Sequence, residues 1–261
     1  MAATTPPDLP VHRFAGADGA ALAYRELGEG TPLVLIHGLF SNGWTNWIRY
    51  GHAARLAEAG FRVIMPDLRG HGDSAAPHDP AAYPPDVLAD DGLALVRHLS
   101  LDRYALAGYS LGGRACVRML ARGAAPVAVV LSGMGLEGLV DSNARVGHFR
   151  AVLTGIGRHP RGSAEWMAEA FLKTTGGDPQ ALLPLLDSFV DTDRATLAAI
   201  ERPVLVLTGE DDRDNGSAEA LAAALPDARY EAIPGNHMSA VLKPDLGEAM
   251  ARFLSRYARP A

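Results

Sequence analysis

The feature that most constrains the fold is a regular alternation of short apolar runs with longer segments of helical periodicity. Five runs rich in Val, Leu and Ile predict strands that are buried on both faces. They are PLVLIHG (32–38), FRVIMPDLRG (61–70), RYALAGYS (103–110), PVAVVLSG (126–133) and RPVLVLTGED (202–211). Helix candidates lie between and after them, at 46–59, 85–99, 111–122, 216–225 and 244–257. This alternation predicts an α/β fold, in which helices cover both faces of a mostly parallel central sheet.

Two segments depart from the alternation. The first stretch, VHRFAGADGAALAYRELGEG, predicts a β-hairpin that turns at Asp18-Gly19. Residues 135–198 contain several amphipathic pieces but no convincing strand, so they predict a helical insertion rather than a simple crossover. We expect one structural domain, with residues 1–134 and 199–261 as its core and residues 135–198 as a helical cap or lid over the edge of the sheet.

Composition narrows the expected partners and location. The net charge of −6 argues against a nucleic acid or an anionic membrane as a partner. Cys116 is the sole cysteine, so neither an intrachain disulfide nor a cysteine-rich metal site is expected. The N-terminal stretch MAATTPPDLPVH lacks the features of a secretory signal, and no apolar run approaches the length of a membrane span. We therefore expect a cytoplasmic protein, whose oligomeric state the sequence leaves open.

The junction RYALAGYSLGGRACVRML contains the most informative functional motif. Ser110 lies between Gly108 and Gly112 in the pattern G-x-S-x-G, where a buried strand turns into a helix within a few residues. Small neighbours let strand and helix approach, and they leave a hydroxyl at a helix N-terminus, where free amides favour negative charge. This pattern is typical of a nucleophilic serine. A small-residue turn without a chemical role is the alternative.

Further motifs accompany this turn, and together they resemble those of the α/β-hydrolase superfamily. They are LVLIHGLF, MPDLRGHGDS, VLVLTGEDDRD and IPGNHM. The matches span residues 20–257, apart from the helical insertion. The resemblance implies an α/β-hydrolase fold in which a serine, an acid and a histidine follow one another along the chain.

The resemblance also implies a general base and an acid for Ser110. His237 is the one histidine that follows the strand bearing the acid, which makes it the expected base. In the family, the acid usually stands three residues after the glycine that ends this strand, and Gly209 therefore puts it at Asp212. Other nearby acidic side chains remain alternatives: Glu210, Asp211, Asp214, Glu137 and Asp141.

An oxyanion hole needs two donors aimed at the developing charge. The amide of Leu111, directly after the serine, is one by geometry. By resemblance, the second is the amide of Leu39, directly after His37-Gly38, with the amide of Phe40 as its alternative. Apolar side chains beside the motifs, together with one aromatic residue of the insertion, are expected to line the substrate pocket: Phe40, Tyr109, Met134, Met238 and Trp166.

Two other classes of function fit the sequence less well. The stretch GMGLEG (133–138) matches G-x-G-x-x-G, but the second strand that a dinucleotide site requires is missing. A non-catalytic binding module is a remote alternative, because every position of the expected site is occupied.

We therefore expect a serine hydrolase that cleaves a carboxylic ester of a small molecule through an acyl-enzyme on Ser110, without a metal or organic cofactor. Lactone, thioester and carbon-carbon bond hydrolysis, and peracid formation of the haloperoxidase type, use nearly the same groups and stay open.

Overall fold

The computed structural model describes residues 8–258 and forms one eight-stranded sheet from them. In chain order, the strands are β1 (His12–Ala15), β2 (Ala21–Leu27), β3 (Thr31–Ile36), β4 (Phe61–Asp67), β5 (Ala105–Tyr109), β6 (Val129–Ser132), β7 (Val204–Gly209) and β8 (Ala228–Ile233). Across the sheet the order is β1-β2-β4-β3-β5-β6-β7-β8. The pairs β1–β2 and β2–β4 are antiparallel and the others are parallel. The predicted mostly parallel sheet is confirmed.

Ten α-helices lie within the described residues. They are α1 (His52–Glu58), α2 (Val87–His98), α3 (Leu111–Ala121), α4 (Glu137–Val140), α5 (Asn143–Thr154), α6 (Ala164–Thr174), α7 (Pro179–Asp187), α8 (Arg194–Ala198), α9 (Ala218–Ala224) and α10 (Pro244–Leu254). Successive strand residues point to opposite faces of the sheet, and helices pack on both of these faces. One core cluster joins Val34 and Ile36 to α2, α3, α9 and helices between β6 and β7. The other joins Leu33 and Leu35 to α1 and α10.

The N-terminal hairpin forms at the predicted turn. Gly19 takes a φ of 88° there, a left-handed conformation that glycine adopts without strain. Asp18 in the same turn accepts a hydrogen bond from the buried guanidinium of Arg69 at 2.6 Å. Arg69 also donates to Asp91 of α2 at 2.9 Å. The hairpin is therefore tied to α2 through one buried charge. Removing the buried carboxylate of Asp91 would cost about 3 kcal/mol or more, whereas the loss of Asp18, which is 46% exposed, would cost less because water can replace it.

The helix predicted at 46–59 is divided in the structure. Trp44–Ile48 forms a π-helical turn, and α1 begins only at His52. Gly51, which lies between them, has a φ of 78°. Because the left-handed region does not occur inside a right-handed helix, this residue separates the two segments.

The chain changes its direction across the sheet between β3 and β5. After β3 it adds β4 on one side, whereas β5 and the later strands add on the other side. In open α/β sheets such a reversal leaves a crevice beyond the carboxyl ends of the two strands, where ligands bind. The residues that follow β3 and β5 lie at this crevice.

The segment between β6 and β7 contains α4 to α8 and no strand. Within it, α5 packs against α6 and α7. No helix among residues 8–258 is long and apolar enough to span a membrane. Residues 1–7 and 259–261 lie outside the described residues, and with them lie the ends of the predicted core and most of the stretch that was examined for a secretory signal.

Candidate active site

Ser110 occupies a strained turn between the end of β5 and the start of α3. Its backbone angles are φ 53° and ψ −114°, a region that residues with a side chain rarely adopt. Glycines permit this turn: a Cβ atom at Gly108 would overlap the backbone of Gly112, and a Cβ atom at Gly112 would overlap the carbonyl of Ile36. The local sequence therefore presents the Ser110 hydroxyl at the crevice.

His237 lies within hydrogen-bond distance of both Ser110 and Asp212. Its Nε2 atom is 3.0 Å from Ser110 Oγ, and its Nδ1 atom is 2.8 Å from Asp212 Oδ2. The three side chains come from the loops after β5, β7 and β8. A hydroxyl, an imidazole and a carboxylate in this order can carry a proton away from the oxygen as it attacks an electrophile.

Backbone contacts hold the loop after β7 against the loop after β8. The N–H of Asp211 donates to the carbonyl of Gly235 at 3.0 Å. Gly209 brings the two loops into close approach, since a Cβ atom there would overlap the same carbonyl. These contacts set the separation between Asp212 and His237.

Asp212 is the acidic side chain that reaches the imidazole, and it is buried. Burial alone would raise the pKa of its carboxyl. The hydrogen bond and charge of His237, with the N–H of Asp214, outweigh that effect, and the pKa lies below its ordinary value. The carboxylate is therefore ionised at neutral pH. Other candidate acids are exposed or have other partners: Glu210 and Asp211 in solvent, Asp214 beside Arg145, Asp141 beside Asn143, and Glu137 at the amide of Ser217.

Tyr109 contacts the His237 loop. Its hydroxyl donates to the carbonyl of His237 at 2.6 Å, and its ring centroid lies 5.4 Å from that of the imidazole. Burial raises the pKa of this hydroxyl, so it remains a neutral donor. Gly133 leaves room for the arrangement, because a Cβ atom there would press on the Tyr109 ring. Tyr109 thus holds His237 from behind.

Two backbone N–H groups beside Ser110, those of Leu39 and Leu111, have no hydrogen-bond acceptor among the described residues. Leu111 is the first residue of α3, where N–H groups lack an intrahelical partner. Leu39 follows Gly38, at which a Cβ atom would lie 3.5 Å from the Ser110 side chain. Free N–H groups in this position can stabilise negative charge on a bound oxygen.

The amide of Phe40 is engaged elsewhere. It donates to Nε2 of His71 at 3.3 Å. Burial lowers the pKa of His71 to about 3, so the imidazole is neutral and accepts this bond. His37 accepts from the amide of Leu68 at 2.9 Å in the same way, and burial lowers its pKa to about 4. The alternative in which Phe40 replaces Leu39 as the free donor does not fit the structure.

A narrow cavity opens between Ser110 and α5. Its volume is about 30 Å³, room for roughly two water molecules. Core residues form one wall: Leu39, Leu111, Arg114, Met134 and Asn215. The segment between β6 and β7 forms the other: Gly138, Ser142, Arg145, Val146, Phe149 and Phe189.

Of the five side chains expected to line a pocket, Met134 lies in the cavity wall and four do not. Phe40 is buried behind the wall, where its ring packs on that of Phe149 with centroids 5.3 Å apart. Tyr109 points to the opposite core cluster. Met238 and Trp166 are 51% and 37% exposed on the surface. Closeness to a motif in sequence does not determine which way a side chain points, whether it lies at the end of a strand, as Tyr109 does, or in a loop, as Met238 does.

Sequence reasoning missed the part of the wall that α5 contributes. Arg145, Val146 and Phe149 face the cavity, whereas Val152 and Leu153 of the same helix are buried in the core. Val146, Phe149 and Leu153 follow an i, i+3, i+7 spacing and share one face of α5, but Arg145 lies on the same face and interrupts the apolar stripe.

Neither a metal centre nor a dinucleotide site is found within residues 8–258. No group of three or more His, Cys, Asp or Glu side chains there is arranged to hold a metal ion. The last two residues of GMGLEG (133–138) already belong to the four-residue helix α4, and further helices follow until β7. The second strand that a dinucleotide motif requires is missing from this segment.

Comparisons with known proteins agree with this geometry. The model of the Alpha/beta hydrolase family matches residues 33–249. A non-heme haloperoxidase of Rhodococcus erythropolis is 29% identical, over 84% of this chain and 89% of its own. A hydrolase from Pseudomonas aeruginosa superposes with a TM-score of 0.75 at 29% identity, covering 94% of this chain and 98% of its own. A bromoperoxidase from Bacillus anthracis has a TM-score of 0.73 at 25% identity, covering 94% and 99%.

The family match covers far more than half of the chain and includes the loops that hold Ser110, Asp212 and His237. The fold superposes on the solved relatives over nearly the whole of each chain. The expected fold class is thus confirmed, and the chain belongs to the alpha/beta hydrolase family as one of its hydrolases.

Proposed function

We propose that this hydrolase cleaves a carboxylic ester of a small molecule through an acyl-enzyme on Ser110. The observation that carries the proposal is the contact of Ser110 Oγ with His237 Nε2 at 3.0 Å, while His237 Nδ1 lies 2.8 Å from the buried Asp212. A serine hydroxyl is a weak nucleophile unless such a base accepts its proton. The strained backbone of Ser110 supports the same role.

In the first half-reaction, Ser110 Oγ attacks the ester carbonyl and its proton passes to His237 Nε2. The imidazolium then returns this proton to the leaving alcohol, and the acyl group stays on Ser110. In the second half-reaction, water attacks the acyl-enzyme while His237 accepts its proton. His237 then returns this proton to Ser110 Oγ as the bond between Oγ and the acyl carbon breaks and the carboxylic acid leaves. Asp212 holds the imidazole in the required orientation and balances its transient charge.

The tetrahedral intermediate carries a negative oxygen, for which we assign the amides of Leu39 and Leu111. Both N–H groups belong to residues of the cavity wall and lack an acceptor among the described residues. Each such donor contributes on the order of 3 kcal/mol to transition-state stabilisation. His71 supports this arrangement indirectly, since it fixes the neighbouring amide of Phe40.

Substitution of Ser110 tests the proposal most simply. Ser110→Ala is expected to lower kcat on a short-chain ester by a factor of about 10⁴ to 10⁶, because the remaining site can only bind and polarise the substrate. Circular dichroism and the unfolding midpoint should match those of the parent protein. Ester turnover that survives in a folded Ser110→Ala variant would remove Ser110 from the mechanism.

Peracid formation is a second candidate, which the similarity to the non-heme haloperoxidase of Rhodococcus erythropolis favours. Hydrogen peroxide would replace water in attacking the acyl-enzyme, which releases a peracid and restores the serine. Acetate, peroxide and bromide assayed with and without Ser110→Ala test this reaction, as bromide oxidation should depend on Ser110. The cytoplasmic location expected from the sequence stays a prediction that cell fractionation can test.

A further inference from the structure

Two cationic side chains, Arg114 and Arg145, line the cavity beside Ser110, and no acidic side chain does. The other residues of the wall are apolar or neutral. A charge that is partly removed from water is costly unless it is hydrogen-bonded and paired. The partners of each guanidinium therefore indicate whether it has a structural role or is available to a ligand.

The guanidinium of Arg114 is hydrogen-bonded within the protein. It donates to the carbonyls of Gly138 and Val190, the latter at 2.9 Å, and to Asp191 at 2.7 Å. It also reaches the hydroxyl of Ser142 at 3.3 Å. These bonds tie α3 to both ends of the helical segment. Arg114 thus has few donors left for a substrate.

The guanidinium of Arg145 has fewer and weaker partners. Its Nε atom is buried and has no hydrogen-bond partner among the described residues. Its one ion pair, with Asp214, is long at 3.4 Å, and the Asp214 side chain is 45% exposed. The guanidinium lies 4.7 Å from the ring centroid of Phe149, also in the cavity wall. The Arg145 guanidinium, with one buried N–H donor unpaired, therefore borders the cavity beside Ser110.

We propose that Arg145 binds a carboxylate carried by the substrate, so that this hydrolase acts on esters with an anionic group a few bonds from the scissile carbonyl. The proposal rests on the proposed function of Ser110. A guanidinium presents a planar fork of donors that fits the two oxygens of a carboxylate, and a buried Nε–H gains most from a charged acceptor. A monoester of a short dicarboxylic acid has the required chemistry.

Matched pairs of esters test this inference. Monomethyl succinate and methyl butanoate differ only by a carboxylate in place of a methyl group on the acyl side. 3-Acetoxypropanoate and propyl acetate make the same comparison on the alcohol side. The wild-type enzyme should prefer the anionic member of at least one pair in kcat/KM, and the pair concerned locates the carboxylate.

Arg145→Gln should lower that preference, expressed as a ratio of kcat/KM values, by about 10- to 100-fold. Because both esters are measured on the same variant, a partial loss of folded protein cancels in the ratio. Arg145→Lys should keep part of the preference, since it keeps the charge but not the fork. Arg150→Gln is the matched control: Arg150 lies on α5, pairs with Asp187 and is outside the cavity wall.

Preference for the neutral ester in both pairs, or an Arg145→Gln ratio within twofold of the wild type, would overturn the inference. Failure of the proposed function looks different, because no ester of either pair would then be hydrolysed. In that event, calorimetric titration with succinate decides about Arg145. Binding that Arg145→Gln weakens about tenfold or more upholds the carboxylate site, and equal or absent binding rejects it.

Discussion

The two walls of the cavity are held in place by different kinds of contact. On the core side, the loops of Ser110, Asp212 and His237 are fixed by backbone hydrogen bonds and by glycines at points of close approach. On the facing side, α5 is anchored mainly by side chains, and Gly147 within it has open space around it. The first wall requires particular residue types at particular positions, whereas the second tolerates change. We infer that the core wall determines the chemistry and α5 the choice of substrate.

After the loss of Ser110 itself, the largest effect is expected from the acid of the core wall, Asp212. Asp212→Asn should lower kcat on a short-chain ester by about 10³ to 10⁴, because the amide no longer holds and balances the His237 imidazole. Asp211→Asn, next to it and exposed, should stay within about twofold of the parent enzyme. Steady-state kinetics on both variants decide the matter. Equal losses would show that the burial of Asp212 does not select it as the acid.

Glycine substitutions compare the rigidity of the two walls directly. Gly112→Ala should destabilise the protein by about 3 kcal/mol, because the new methyl group overlaps the Ile36 carbonyl. Gly147→Ala should instead raise the free energy of unfolding by up to about 1 kcal/mol, since alanine favours the helix and meets nothing there. Urea unfolding measures both changes. A tolerated Gly112→Ala would contradict the tight turn at Ser110.

The sequence predicts the core wall of the cavity better than the wall formed by α5. The apolar runs and the glycines of the core wall leave a distinct pattern, so a mostly parallel sheet could be predicted and Ser110, Asp212 and His237 could be named as candidates. The order of the strands could not be predicted, because it depends on tertiary contacts. The cavity side of α5 could not be predicted, because Arg145 and Phe149 lie outside the core motifs and the charged Arg145 interrupts the apolar face of their helix. The directions of Tyr109 at the end of β5, Met238 in a loop and Trp166 in α6 depend on tertiary contacts that the sequence does not show.

A substitution in α5 should change which acyl-chain lengths the enzyme prefers, rather than the chemistry at Ser110. Phe149→Ala enlarges the narrow cavity, so the ratio of kcat/KM for hexanoate over acetate esters should rise about tenfold. Trp166→Ala, on the exposed surface of α6, should leave the ratio unchanged. Chain-length profiles with p-nitrophenyl esters measure it. An unchanged profile with only a lower unfolding temperature would make the segment 135–198 scaffold rather than a cap.

The smallest effect is expected from His37 and His71, the buried histidines behind the loop of Leu39 and Phe40. The pKa of His71 is lowered to about 3 by burial, so between about pH 6 and pH 4 the unfolded chain binds a proton that the folded chain does not. The free energy of unfolding should therefore decrease as the pH is lowered from about 6 to about 4, by up to about 1.4 kcal/mol per pH unit for each such histidine. In His71→Gln the slope should be smaller by about that amount. An identical slope would mean that His71 is protonated in the native state.

Covalent labelling tests the central claim, that the core wall activates one serine. A fluorophosphonate probe, followed by proteolysis and mass spectrometry, should modify Ser110 at about one equivalent per chain. His237→Gln should slow the labelling strongly, because the hydroxyl then lacks its base. Modification at another residue, or a protein that hydrolyses esters while Ser110 remains unlabelled, would contradict the account.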